Sequence, residues 1–72
     1  MHMTSKILDE VNINAMVKAL RQHAVFTIAR DRQTIVVTHK TAGTVLRALR
    51  ARPGVWITRH ASDLFAPTEA VR

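Results

Sequence analysis

Six basic side chains, Arg32, Lys40, Arg47, Arg50, Arg52 and Arg59, lie between Asp31 and Asp63 with no carboxylate among them. Side chains of this type bind oxyanions. Lysine and arginine neutralise the phosphates of a nucleic acid and release its condensed counterions, and the planar guanidinium also grips the carboxylates of a protein surface. The formal net charge of +6 belongs wholly to this segment, because the bases and acids outside it cancel. Eight of the eleven bases are arginine, which favours bidentate recognition over diffuse attraction. A solvated face normally mixes signs, so a stretch this long without an acid points to an anionic partner.

The other residues with chemical potential are less persuasive. His39 and His60 fall at the ends of two extended segments, and a pair of imidazoles brought together would supply the general acid and base of RNA cleavage. Unrelated histidines at strand ends explain them more simply. A metal site built from His23, His39, His60 and Asp63 lacks any tight ligand spacing. Gly43 is one of only two glycines, so there is no glycine-rich loop to cradle a phosphate, and nucleotide hydrolysis is excluded. Trp56, near Arg59 and His60, is placed to stack a base, although a lone tryptophan after a Pro-Gly turn more often serves as a core or cap residue. No catalytic residue, metal or cofactor is assigned.

The elements that must position these residues follow from periodicity. From Asn12 to His23, Ile13, Met16, Val17 and Leu20 recur at i, i+3, i+4 and i+7, the stripe of an amphipathic helix capped by Asn12 or Asn14. Ile7, Leu8 and Val11 either extend this helix or form a short turn, and residues 1 to 10 are expected to be a flexible, partly ordered lead. Ala24–Arg30 and Thr34–His39, rich in Val, Ile, Phe and Thr and separated by Asp31-Arg32-Gln33, predict an antiparallel hairpin. Its inward residues are Phe26, Ile28, Ile35 and Val37. Thr41 predicts the cap of a second helix in which Ala42, Val45, Leu46 and Leu49 repeat the helical spacing until Pro53-Gly54 ends it. On that helix Lys40, Arg47 and Arg50 share one flank, with Arg32 and Arg59 extending the stripe. Val55–His60 predicts a third strand with Val55, Ile57 and Arg59 on one face.

The predicted architecture is therefore α+β, a small single domain of order α-β-β-α-β spanning residues 11–66. Its three-stranded sheet, a hairpin plus a crossover strand in the order 2-1-3, carries both helices on one face. Leu64 and Phe65 predict a short apolar anchor, and residues 67–72 a frayed tail. The sheet's other face is left open to solvent, to a ligand or to a second copy in a homodimer.

Length and composition bound the reading. A chain of 72 residues, 47% apolar, holds one small core with a thin stability margin. The absence of cysteine rules out disulfides and thiolate zinc sites and fits a reducing compartment, so a cytoplasmic location is expected. No apolar run approaches the roughly 20 residues that span a bilayer, and no signal peptide is recognisable. Met1-His2 ahead of Met3 reads as a cloning remnant, with Met3 the native start.

The run Ile35-Val36-Val37-Thr38-His39 leading into Thr44-Val45-Leu46-Arg47-Ala48-Leu49 resembles the last strand and helix of the HicA-type mRNA interferases, small basic proteins with a double-stranded-RNA-binding-like fold. The chain lacks the extra strand and the mid-sheet catalytic histidine of that pattern and adds a strand after the helix, so the activity is not carried over. The expected function is that of a non-enzymatic nucleic-acid-binding accessory or regulatory protein, of the type carried by phages and plasmids, using Lys40, Arg47, Arg50, Arg32, Arg59 and Trp56. The alternative is a protein-binding inhibitor or modulator whose basic face docks on an acidic surface of a larger enzyme, such as RNA polymerase or a nuclease complex. An RNase-like toxin, the lesser alternative, needs His39 and His60 together.

Overall fold

The computed structural model describes residues 3–61. These form β1 (Met3–Asp9), α1 (Glu10–Arg21), β2 (Phe26–Arg30), β3 (Thr34–His39), β4 (Gly43–Arg52) and β5 (Val55–Ala61). The five strands join in a single sheet of order β1-β5-β4-β3-β2, antiparallel throughout. This overturns the expected α-β-β-α-β arrangement: the described residues hold one helix and a five-stranded sheet and are mostly β, not α+β with two helices on a three-stranded sheet. Leu64, Phe65 and the segment after Pro67 lie outside the described residues, as does Asp63.

The second helix fails to form because its start is turned aside and its length is paired on both sides. Gly43 adopts φ +81°, a conformation that cannot continue into a right-handed helix. The amides of Thr41 and Ala42 donate to Nδ1 of His39 at 3.2 and 3.3 Å, so the turn is closed from the preceding strand and Thr41 caps nothing. Two register shifts then interrupt the ladder of β4, one opposite Val37/Thr38 and one between Arg50 and Arg52. The first lets the consecutive residues Val45 and Leu46 both be buried. Such a bulge breaks the alternation of a strand and, with Ala42 and Leu49, counterfeits helical spacing. Leu, Ala and Arg are good helix formers, but here pairing with β3 and β5 on both sides outweighs propensity.

Met3–Asp9 is likewise a strand, the edge partner of β5, and not a flexible lead. It ends at Asp9, whose carboxylate accepts from the Asn12 amide at 2.8 Å and thereby caps α1. The cap thus sits three residues ahead of Asn12. The hairpin of β2 and β3 forms across Asp31-Arg32-Gln33. Asp31 holds that turn by accepting from the amides of Gln33 and Thr34, both at 2.8 Å, and these bonds pull its pKa below the ordinary 3.8.

Because α1 follows β1 and precedes β2, it must link opposite edges of the sheet. Twelve residues give a helix of about 18 Å, and four inter-strand spacings come to about 19 Å. β1 ends at Asp9, level with Val55 and Arg52, whereas β2 begins at Phe26, level with His39 and Gly43 at the other end of the sheet, so the helix between them crosses one face obliquely. It buries Ile13, Val17 and Leu20 on Ile35, Val37, Leu46, Ala48 and Trp56. Phe26 and Ile28, two of the four expected inward residues, are half-buried against this core, while Ile35 and Val37 are fully inside it.

Gly54, at φ +80° after Pro53, turns β4 into β5. A Cβ there would meet nothing within 4 Å, so any penalty is conformational and not steric. Gly54→Ala is expected to cost about 1 kcal/mol, read as a lower urea midpoint with an unchanged slope.

Candidate functional site

Alternation along β5 sorts its residues cleanly. Trp56, Thr58 and His60 are buried beneath α1, whereas Val55, Ile57 and Arg59 turn to the face that no described element covers. The register carries that second face across its neighbours. Ile7, Ile57 and Leu49 lie directly opposite one another on β1, β5 and β4, and they are 70%, 45% and 53% exposed. One row further along, Ser5, Arg59, Arg47, Val36 and Ala29 are aligned across all five strands. On the other side of the apolar row, Arg52 is aligned with Val55. The face is a band of aliphatic side chains flanked by arginines.

Arg47 and Arg59 are direct cross-strand partners. Like charges placed opposite each other in a sheet cost stability, roughly 0.2–1 kcal/mol for a pair of this kind. No carboxylate offsets them, since each acid among the described residues is committed elsewhere. Asp9 caps α1 and Asp31 closes its turn. Glu10 reaches under the sheet, where its Oε1 accepts from Trp56 Nε1 at 2.9 Å and from Arg50 at 3.5 Å, and its Oε2 accepts from Arg30 at 3.4 Å.

The expected basic stripe is consequently redistributed. Arg47 and Arg59 come together on the open face. Arg50 points the other way, its guanidinium 5.2 Å from the centroid of the Trp56 ring and that of Arg30 5.7 Å away. Lys40 is in the β3–β4 turn at the far end and Arg32 in the β2–β3 turn. With β4 a strand, the shared flank of Lys40, Arg47 and Arg50 does not exist. Trp56 is fully buried and presents no ring for a base. Sequence reasoning missed Ile7, Leu49 and Ile57. The alternation of β5 already put Ile57 beside Arg59, but the pairing with β1 and β4 that builds the row has no local signal.

The two histidines are kept apart. His39 ends β3 with its ring edge-on to Phe26, centroids 5.4 Å apart, and its Nδ1 is engaged by the β3–β4 turn. His60 is on β5, with β4 between them. The arrangement does not assemble a general acid and base. Burial, followed by the nearby Lys6 ammonium, holds the His60 pKa below 6.5. A base whose pKa is depressed by folding binds its proton more readily when unfolded, so stability is complete above about pH 6.5 and falls as the pH drops through the folded value. Urea midpoints measured across that window should decline with acidity, and His60→Gln should flatten the decline. An equal decline in the variant would assign it to other groups.

No protein-family model, curated protein or solved structure matches this chain. The resemblance to the HicA-type interferases also loses its basis, since residues 43–52 are a strand where that pattern has a helix. No helix among the described residues is long and apolar enough to cross a membrane.

Proposed function

We propose that this chain is a non-enzymatic protein-binding module that docks its uncovered sheet face on an acidic surface of a larger protein and modulates it. The observation that carries the reading is the alignment of Ile7, Ile57 and Leu49 beside the unneutralised Arg47–Arg59 pair. An apolar centre with an arginine rim is the anatomy of a protein interface. A cross-strand pair that costs stability in the isolated chain becomes favourable once carboxylates face it. Phosphates would satisfy the two guanidiniums equally, which keeps nucleic-acid binding as the second reading. They would leave the aliphatic row uncovered, and among the described residues the face has no aromatic ring on which bases stack. A second copy fits worse, because the acid that the described residues place on this face, Asp9 beside Val55, is engaged in capping α1, and two-fold pairing otherwise sets arginines against cations or apolar groups.

The test compares the full chain with a Leu49→Asp/Ile57→Asp variant, both positions being exposed and so tolerant of substitution. Each is immobilised and challenged with extract of the native host, and each is titrated against duplex DNA, single-stranded DNA and RNA at two salt concentrations. The expected result is an acidic protein released by salt and held about tenfold or more weakly by the variant, with only weak nucleic-acid binding. Tight, salt-dependent nucleic-acid binding that survives the variant and is lost in Arg47→Glu/Arg59→Glu would replace this reading with the second.

A further inference from the structure

The oblique path of α1 leaves two corners of the sheet's inner face uncovered by the helix. One, beside the helix N-terminus, is filled by Glu10, Arg30, Arg50 and Trp56. The other, between the C-terminal half of α1 and β1, is an open cleft of about 810 Å³. Its floor includes Leu8, Met16, Leu20 and the buried His60, its rim carries Lys6 and His23, and no carboxylate among the described residues lines it. One wall is β1, which among the described residues pairs only with β5 and so presents a free strand edge into the cleft. On the opposite wall the exposed Ala15 and Ala19 stand one turn apart and leave room for a chain to lie between helix and strand.

We infer that this cleft receives an extended acidic peptide segment of another protein, which adds to the edge of β1 as a sixth strand. Strand addition beside a helix obtains affinity from main-chain hydrogen bonds and specificity from alternate side chains entering a groove. Met16, Leu20, Lys6 and His23 all line the helix side of that groove, so successive helix-facing residues of the added strand, two positions apart, are an apolar side chain toward Met16 and Leu20 and a carboxylate toward Lys6 and His23. The charge of the rim selects the acid. Lys6 is exposed at the mouth and meets no acid among the described residues, so a carboxylate arriving there gains an ion pair without breaking one. The site shares Ile7 at the sheet edge with the open face but does not depend on the function proposed for that face.

The probe is a blocked, fluorescein-labelled peptide of Leu-Thr-Glu-Thr repeats, which sets leucine and glutamate on one face of a strand, with its leucine–lysine counterpart as control, titrated into the full chain by anisotropy. The expected result is saturable binding of the glutamate peptide alone, with new protection of β1 amides in hydrogen exchange. Ala19→Arg, which fills the cleft from an exposed helix position, and Lys6→Glu should each weaken it about tenfold or more, while Leu49→Asp/Ile57→Asp leaves it unchanged. Circular dichroism melts establish that the variants are folded, and Lys6→Glu serves where Ala19→Arg does not fold. Equal binding of the lysine peptide, or undiminished affinity in both cleft variants, would overturn the proposal. Protection of the outward β1 amides in the free monomer would overturn it in favour of the chain's own remaining residues. A dimer in sedimentation that Ala19→Arg dissociates would overturn it in favour of a second copy.

Discussion

Trp56→Ala is expected to abolish the cooperative urea transition, leaving a chain whose far-ultraviolet circular dichroism already lacks the sheet signal in buffer. Trp56 is the largest fully buried side chain. It sits on the inner face of β5 opposite Arg50 of β4 and Leu8 of β1, beneath the N-terminal end of the only helix among the described residues. Deleting a buried tryptophan costs about 3–5 kcal/mol in transfer and cavity energy. At roughly 0.05–0.15 kcal/mol per residue, a chain of this length has only about 4–11 kcal/mol to lose. The substitution also withdraws the ring over which Arg30 and Arg50 lie and the donor that meets Glu10. Trp56→Phe keeps most of the packing and is expected to fold, about 1–2 kcal/mol less stable, because it removes chiefly the hydrogen bond. A Trp56→Ala chain melting close to the wild type would mean that the core is centred elsewhere.

What the sequence made readable was whatever is decided locally. The stripe of Ile13, Met16, Val17 and Leu20 places α1 to within two residues, because three of those side chains enter the core at helical spacing. The strands β2, β3 and β5 were visible from their β-branched content. The errors lie where distant residues decide the outcome. Residues 43–52 have helical composition and helical spacing, and their strand state rests on hydrogen bonding to β3 and β5 and on bulges that depend on those partners. Asp9 and Glu10 fall in the stretch expected to be a partly ordered lead. In the structure Asp9 ends a strand and caps the helix, and Glu10 turns inward to Trp56, so both are polar because a strand-to-helix junction needs them. The same limit governed the site. Charge alone named Arg47 and Arg59 only as two of six bases and grouped Arg47 with Lys40 and Arg50, whereas the register shows that Arg47 and Arg59 are neighbours and that Arg50 is not with them. An apolar row assembled from β1, β5 and β4 has no signature in any one of the three segments.

Glu10→Ala is expected to cost about 2–3 kcal/mol, and comparison with Glu10→Gln shows where the energy resides. The carboxylate has three partners. The indole N–H at 2.9 Å makes a charge-assisted bond from a fully buried ring, worth about 1.5–3 kcal/mol, and its loss leaves that donor unsatisfied. The two guanidiniums stand farther off, at 3.4 and 3.5 Å, and all three side chains in these ion pairs are about one-third exposed. Pairs so placed contribute about 0–1 kcal/mol each and weaken with salt. Glutamine retains an acceptor for Trp56 while discarding the charge, so Glu10→Gln should lose only about 1 kcal/mol and its deficit should shrink in high salt. Glu10→Ala should keep most of its deficit in salt, because an unmade bond to a buried donor is not screened. Combining Glu10→Ala with Trp56→Phe removes donor and acceptor together, and the double variant should be less destabilised than the sum of the two single variants. If glutamine and alanine prove equally costly, or if salt erases the alanine deficit, the arginines and not the tryptophan hold Glu10 in place. The corner would then be an ion-pair cluster that happens to lie on an aromatic ring.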